Sequence, residues 1–287
     1  MRTILEVKGL TKQYANSDFC LDDVSMSIPS GAIMGFVGEN GAGKSTTIGC
    51  MLNTLLKDSG TVEIFGKEMT DNSTDIRDNI SVVYDTNSFP EHLTAVRIST
   101  AMRHIYTNWD DGLFKEYLRK FKLPEKQKIK AFSRGMTMKL AVAAALSHRP
   151  KLLILDEATA GLDPIVRDDI LDVFLDFVQD ENNSILLSSH ITSDLEKVAD
   201  YITFIHDGRI VFSEKKDTLI YSYGLMRCKA AQFEEIDKAD MLAYRKHDYQ
   251  IDVLVSDRGA AAKKYRDVVI DSITIEEIML MLVKGVR

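Results

Sequence analysis

Residues 38–45 read GENGAGKS and decide the fold. They match the pattern G-x4-G-K-[S/T], and they stand between a short apolar run, Ile33–Val37, and a segment with helical periodicity that begins at Lys44. Successive backbone N–H groups can surround a phosphate only where small side chains let the chain come close, which explains the glycines and Ala42. A strand, this loop and a helix in that order predict a phosphate-binding loop. A glycine turn without a ligand is the alternative.

The side chains of this loop predict how it binds a nucleotide. Lys44 can bridge the β- and γ-phosphates, and the Ser45 hydroxyl can ligate Mg2+. The N-terminus of the following helix adds a partial positive charge. The predicted nucleotide-binding residues of the loop are Gly38, Glu39, Asn40, Gly41, Ala42, Gly43, Lys44, Ser45 and Thr46.

A second stretch, residues 151–159 (KLLILDEAT), places two acids directly after an apolar strand. The carboxyl ends of strands in an open α/β sheet meet at the crevice where ligands bind. Asp156 can therefore hold hydrated Mg2+, and Glu157 can orient and polarise an attacking water. A surface turn with two acids is the alternative for this stretch taken alone.

Strand and helix patterns alternate along most of the chain, which predicts an α/β fold with a mostly parallel sheet. Helical periodicity dominates from Leu93 to Arg149, which indicates a helical insertion, and strands resume after Pro150. From Asp217 onward the pattern indicates a separate small α/β segment. The predicted helices span residues 44–56, 95–106, 113–121, 133–146, 165–178 and 275–283, and the predicted strands include 24–28, 33–37, 61–65, 80–84, 152–155, 184–187, 201–205, 209–212 and 251–255.

Composition bounds the class of protein. The 287 residues include 36 Lys and Arg against 43 Asp and Glu, a formal net charge of −7, which argues against nucleic-acid binding by phosphate neutralisation. Residues 115–130 are an exception with a local excess of basic residues, for which a solvated helix face is the simplest reading.

No apolar run reaches the length of a membrane span, and residues 1–10 do not resemble a signal peptide, so cytosolic residence is expected. Cys20, Cys50 and Cys228 lack metal-ligand spacing and are expected to be reduced thiols.

Six stretches in order resemble the ATP-binding subunit of bacterial ABC transporters, over about residues 1–215. They are Tyr14, the Walker A loop at 38–46, a signature-like SRGM at 133–136, the Walker B end at 155–157, a D-loop-like AGLDP at 160–164, and a switch-histidine SSH at 188–190. Their order and spacing are far more specific than any one motif.

The resemblance implies further site residues. Tyr14 would stack on adenine, although an ordinary half-buried tyrosine is the alternative. Ser133 and Gly135, at a helix N-terminus, would contact the γ-phosphate of ATP bound to the other subunit of a head-to-tail dimer. Asp163, in the D-loop-like stretch, is a further predicted nucleotide-binding residue. His190 would reach the γ-phosphate and the water near Glu157, against the alternative of a buried structural histidine.

Two departures from the family pattern are evident. Arg134 and Met136 replace a glycine and a glutamine of the usual signature, which makes that loop more basic. Asp85 stands where the family carries a glutamine that touches Mg2+ and links to the membrane domain. A carboxylate is a good Mg2+ ligand, so metal contact with altered coupling is expected.

The implied fold is α/β: a P-loop NTPase ABC cassette with a RecA-like parallel sheet core, an N-terminal antiparallel β subdomain and a helical insertion at about residues 86–149. The cassette is expected to span residues 1–215, followed by a small C-terminal α/β extension at 216–287. Residues 88–93 (SFPEHL) would form part of the groove that receives the membrane subunit, with a generic exposed loop as the alternative.

The implied function is ATP binding and hydrolysis that drives export through polytopic membrane subunits in separate chains, with ATP and Mg2+ as cofactors. The partners would be a second cassette, identical or not, and those membrane subunits, on the cytoplasmic face of the membrane and without nucleic acid. Residues 108–110, the SRGM form and residues 274–285 resemble ABC-2 exporters of membrane-active peptides and lipophilic drugs. The alternatives are a soluble ABC ATPase that acts on ribosomes or DNA, and a small-molecule P-loop kinase, which leaves Ser133, Asp163 and His190 unexplained.

Overall fold

The structure is a computed structural model, which describes residues 2–15, 17, 19–86 and 89–286. Its strands are β1 Thr3–Gln13, β2 Cys20–Pro29, β3 Ile33–Val37, β4 Ser59–Ile64, β5 Lys67–Glu68, β6 Ile80–Tyr84, β7 Leu152–Asp156, β8 Ser184–Ser189, β9 Tyr201–His206, β10 Arg209–Lys215, β11 Gly224–Cys228, β12 Ala243–Lys246, β13 Ile251–Val255 and β14 Val269–Asp271. Its α-helices are α1 Lys44–Met51, α2 Thr74–Arg77, α3 Ala95–Met102, α4 Asp111–Lys120, α5 Arg134–Leu146, α6 Pro164–Phe177, α7 Thr192–Val198, α8 Ala230–Glu234, α9 Arg258–Lys264 and α10 Ile275–Lys284.

A six-stranded sheet of order β10-β9-β3-β8-β7-β6 forms the centre of the molecule. All of its neighbouring pairs are parallel except β9 and β10, which form a hairpin through the turn at Asp207 and Gly208. Strands β3, β7 and β8 are buried along their whole length, which explains why they are apolar runs without alternation. The α/β class with a mostly parallel sheet is confirmed.

A second, antiparallel sheet of order β2-β1-β4-β5 packs beside the first and shares a core with it. Its strands alternate between buried and exposed residues because one face is solvated, as β2 shows with Leu21, Val24, Met26 and Ile28 inside. This sheet is the N-terminal antiparallel β subdomain that the resemblance implies.

Helices α3, α4 and α5 lie between β6 and β7 in the chain and form the helical insertion. Phe114 and Leu118 of α4 are buried in the core that α5 shares with the central sheet.

The predicted helix bounds are too long in two places. The helix predicted to reach residue 56 ends at Met51, because Asn53 adopts a positive φ of 56° and the next two amides bond back to the Gly49 carbonyl. The helix predicted at 95–106 ends at Met102 in a turn that continues to Tyr106.

The C-terminal residues form a third sheet, antiparallel and of order β12-β13-β11-β14, with α8 and α9 beside it. Only its β13 was predicted. β12 and β14 are edge strands of four and three residues, and β11 (GLMRC) lacks the alternation of polar and apolar residues that indicates a strand. The last helix, α10, leaves this sheet and packs on α7: Ile278 and Met281 join the core of the central sheet, and the Ile275 amide donates to Glu196 Oε1 at 3.2 Å. Among the described residues, no helix is long and apolar enough to cross a membrane.

His148 follows α5 and is buried, with 1% of its surface exposed. Its ring stacks on Tyr106 with the centroids 3.9 Å apart, and its Nε2 forms a hydrogen bond with the Ser81 hydroxyl of β6. Burial lowers the pKa of His148 from 6.5 to about 4. The folded protein therefore holds this ring neutral across a pH range in which the unfolded chain protonates it.

This shift predicts a pH-dependent stability with a definite sign. As the pH falls from 7 towards 4, the unfolded chain takes up a proton at His148 and the folded protein does not, so the free energy of unfolding should fall by about 2 to 3 kcal/mol through this residue. Urea unfolding at pH 7.5 and 4.5 checks it: His148→Gln should reduce the pH-dependent loss, whereas His92→Gln, at an exposed position, should leave it as in the unmodified protein. An unchanged loss in His148→Gln would contradict this account.

Candidate active site

The loop at residues 38–45 joins the end of β3 to the start of α1. Gly43 is the N-cap of α1 with φ 113°, and Gly41 has φ 85°, both in the region that favours glycine. Gly38 lies against β9, where a Cβ would stand 2.5 Å from the carbonyl oxygen of Ile205. The glycines therefore meet two demands, a left-handed turn and close packing on the neighbouring strand.

Lys44 is buried at the start of α1, with 5% of its surface exposed. Its ammonium donates to the carbonyl oxygens of Gly38 at 2.7 Å and Glu39 at 3.2 Å. It also lies 3.1 Å from Glu157 Oε1. These contacts compensate a buried charge that would otherwise be costly, and they place the ammonium in the bend of the loop.

Glu157 connects Lys44 to His190. Its Oε2 lies 2.6 Å from His190 Nδ1, while its Oε1 faces Lys44. Glu157 follows β7 with a positive φ of 54°, a backbone conformation that costs energy in a non-glycine residue. Its amide donates a hydrogen bond to the Ser188 carbonyl. The structure thus brings together three residues that the sequence placed more than thirty positions apart, in one chain of ionisable groups.

Asp156 ends β7 with its side chain buried. Its Oδ1 accepts a hydrogen bond from the Ser188 hydroxyl at 3.0 Å, and the register pairs the two residues directly. Ser188 belongs to the SSH stretch, and the sequence predicts no separate role for it. The strand register supplies that role, because it places a serine opposite the last residue of β7.

Ser45 and Thr46 occupy the first turn of α1, where Ser45 is exposed and Thr46 is half-buried. Tyr14 lies beside them: its hydroxyl is 3.4 Å from Thr46 Oγ1, and the Lys12 ammonium lies 5.7 Å from its ring centroid. Tyr14, which the sequence placed 24 residues before the loop, is therefore at the edge of the phosphate-binding loop in space.

Ser133 and Asp163 each cap a helix. The Ser133 hydroxyl accepts from the Met136 amide at the start of α5, and Asp163 Oδ1 accepts from the Val166 amide at the start of α6. Gly135 packs against Val166, where a Cβ would come within 3.0 Å. Across the described part of the chain, no hydrogen bond or ion pair joins Ser133, Gly135 or Asp163 to residues 38–46.

Asp85 follows Tyr84, which pairs with Asp156 across the neighbouring strands β6 and β7. Asp85 lines a separate cavity of about 280 Å³, together with Arg134 at the start of α5. In the residues that the structure describes, Asp85 makes no hydrogen bond or ion pair with Ser45 or Asp156. The sequence grouped these three as metal ligands, and the structure does not link Asp85 to the other two.

The comparisons with known proteins agree with this geometry. The family model described as ABC transporter matches residues 21–160. The bacitracin transport ATP-binding protein BcrA of Bacillus licheniformis is 35% identical over 213 residues, which cover 74% of this chain and 69% of BcrA. The chain belongs to the ATP-binding subunits of ABC transporters.

Two further relatives extend the comparison for this ABC transporter subunit. The lantibiotic transport ATP-binding protein SrtF of Streptococcus pyogenes is 33% identical over 219 residues, which cover 75% of this chain and 92% of SrtF. A solved dimeric ATP-binding cassette in a post-hydrolysis state, bound to ADP and Pi, superimposes with a TM-score of 0.66 at 21% identity over 74% of this chain and 98% of that one, which shows the same fold. The ribosome or DNA alternative gains no support from these relatives.

The packing of Gly38 on β9 gives a prediction for nucleotide binding. Gly38→Ala should weaken ATP binding by about tenfold or more, because the new methyl group would lie 2.5 Å from the Ile205 carbonyl oxygen and displace the loop. Isothermal titration calorimetry measures the affinity. Gly66→Ala is the control: it also replaces a glycine, has φ 74° and meets no atom within 4 Å, so it should cost about 1 to 2 kcal/mol of stability and leave the affinity unchanged.

Proposed function

We propose that this ABC transporter subunit hydrolyses ATP at the edge of the central sheet and thereby powers transport through separate membrane subunits. The observation that carries the proposal is the chain of contacts from Lys44 through Glu157 to His190, at the carboxyl ends of β3, β7 and β8. A base, an orienting partner and a phosphate-binding cation within direct contact form the set that phosphoryl transfer to water requires.

Glu157 is the proposed base. Its carboxylate can accept a hydrogen bond from a water molecule and orient it towards the γ-phosphate, while His190 holds Oε2 and limits the rotation of the side chain. Lys44 would exchange its contacts with the Gly38 and Glu39 carbonyls for phosphate oxygens, because a charged acceptor forms the stronger hydrogen bond. Tyr14, at the edge of the loop, is the proposed support for adenine.

Mg2+ is the proposed metal, and the residues present suit it. Asp156 is a buried carboxylate with one oxygen held by Ser188, and Ser45 presents an exposed hydroxyl on the first turn of α1. Both are oxygen ligands of the kind that Mg2+ prefers. When bound, the ion would neutralise charge on the β- and γ-phosphates.

A second cassette is the proposed partner across the site. The first turn of α5, with Ser133 as its cap, carries amides that can bind an anion, yet no hydrogen bond or ion pair joins it to residues 38–46 of its own chain in the described structure. A head-to-tail dimer would bring this turn of one subunit to the nucleotide of the other, and the dimeric solved cassette with the same fold supports this arrangement.

Export of a membrane-active peptide is the proposed transport activity. BcrA is named for bacitracin transport and SrtF for lantibiotic transport, and both ligands are peptide antibiotics. The subunit would work on the cytoplasmic face of the membrane, where it contacts polytopic membrane subunits. Residues 89–93 are proposed to contribute to that contact, and Ser88 of the predicted groove lies outside the described residues.

The proposed domains are the cassette at 1–215 and an accessory segment at 216–287. The third sheet has its own core, which includes Met226 and Val253, and it begins after β10 ends at Lys215. The accessory segment is not independent of the cassette, because α10 packs on α7. His190 and Met279 of α10 line a common cavity of about 460 Å³.

Glu157→Gln tests the base assignment. Turnover of ATP should fall by about 100-fold or more, because the amide cannot accept a proton, while the affinity for ATP should stay within about threefold. The measurements are phosphate release and calorimetric ATP binding. Glu125→Gln, an isosteric change at an exposed position, is the control and should keep normal turnover. Normal turnover in Glu157→Gln would show that Glu157 is not the base.

A mixing experiment tests the dimer. Ser133→Ala and Lys44→Ala should each be impaired as a homodimer, since every site then lacks either its capping hydroxyl or its phosphate-binding cation. A mixture should show phosphate release that neither variant shows alone, because mixed dimers contain one complete site. A mixture no more active than its components would argue against a site shared between subunits.

A further inference from the structure

One cavity brings together two of the three residues at which the sequence departs from the family pattern. Asp85, after β6, and Arg134, in the first turn of α5, both line the cavity of about 280 Å³. Glu91 and Lys130 are the other charged residues of its lining, and its floor is apolar, with Ile129, Phe132, Met138 and Ala141. In the part of the chain that the structure describes, none of the four charged side chains forms an ion pair.

The backbone decides how these four charges can combine. The Lys130 amide donates to the Glu91 carbonyl at 2.9 Å, so Lys130 and Glu91 are direct neighbours on one side of the cavity. Their side chains can neutralise each other locally. Asp85 and Arg134 then remain as the complementary acid and base.

Arg134 also touches the loop that follows Glu157. A Cβ built on Gly161 would lie 2.9 Å from Arg134 Nη1 and 3.1 Å from its Cζ, so the guanidinium covers the bare α-carbon of this glycine. The loop is short: the Ala160 amide donates to the Glu157 carbonyl at 3.0 Å. A displacement at Gly161 is therefore transmitted within one turn of chain to Glu157.

We propose that Asp85 attracts the Arg134 guanidinium across this cavity, without a direct ion pair in this structure, and thereby holds the guanidinium against Gly161 and positions Glu157. Arg134 is then a positioning residue for ATP hydrolysis, acting through the loop at 158–163, and the cationic partner of Asp85 is this guanidinium and not Mg2+. A planar guanidinium suits the role because it can offer one edge to a carboxylate while its face covers the glycine. The inference rests on the proposed hydrolysis for its kinetic consequence only.

A double-mutant cycle in the full chain tests the pair. Asp85→Asn and Arg134→Gln should each lower kcat for ATP by about tenfold with little change in KM, and the double variant should lose no more than Arg134→Gln alone, since removal of either charge already abolishes the attraction. A double variant whose loss equals the product of the two single losses would overturn the proposal. Thermal unfolding identifies any variant that does not fold, and Asp85→Ser or Arg134→Met then takes its place in the cycle.

Two controls separate this pair from a general effect of charge and from metal binding. Lys139 and Asp169 form an ion pair of 2.6 Å between α5 and α6, and the double variant Lys139→Gln with Asp169→Asn should leave kcat within about twofold. Asp85→Asn should need the same Mg2+ concentration for half-maximal turnover as the unmodified protein. A raised Mg2+ requirement in Asp85→Asn but not in Arg134→Gln would make Asp85 a metal ligand and refute the pairing.

Hydrogen exchange provides a readout that does not depend on hydrolysis. Amides of residues 158–163 should exchange about tenfold faster in each single variant and no faster in the double variant than in Arg134→Gln, because the pair restrains this loop. If the unmodified protein released no more phosphate than Glu157→Gln, the hydrolysis proposal would fail, and this exchange pattern would still decide the pairing. Equal protection of the loop in all variants would refute the pair by itself.

Discussion

The parallel register of β3, β8 and β7 is the constraint on which the site depends. Val37 pairs with Ser189 and Asp156 pairs with Ser188, so the three strands end at the same edge of the sheet. The residues that follow, Gly38, Glu157 and His190, leave that edge together. A slip of one residue in any of these strands would separate the phosphate-binding loop from the acid and the histidine, and it would also turn buried side chains to the wrong face.

The charges at that edge are held by the loops and not by the strands themselves. Lys44 is buried and compensated by two backbone carbonyls and by Glu157, which adopts a left-handed backbone conformation to reach it. Such a conformation persists only where the surrounding structure determines it, and here the Ser188 carbonyl and His190 do so. The strain and the buried charge are stabilised by the same contacts that serve the proposed chemistry.

The helical insertion and the C-terminal segment approach this edge from two directions. On one side, Gly135 packs on Val166 and Arg134 covers Gly161, which ties the start of α5 to the loop after β7. On the other, α10 lies on α7, the helix that follows His190. Movement of either element would displace Glu157 or His190. We expect this displacement to be the physical basis of coupling between ATP and the other subunits of the transporter.

The sequence alone determined the class of fold, the central strands and the position of the glycine-rich loop between β3 and α1, because apolar runs and glycine spacing are local signals. It did not find the short edge strands β12 and β14 or the inner strand β11, whose stability comes from pairing and not from their own composition. Tertiary structure decided which distant groups meet: Ser188 opposite Asp156, His190 on Glu157, and Asp85 on the same cavity as Arg134. These outcomes depend on strand register and on the angle at which α5 packs. Both are set by contacts between segments that are distant in sequence, so no single segment determines them.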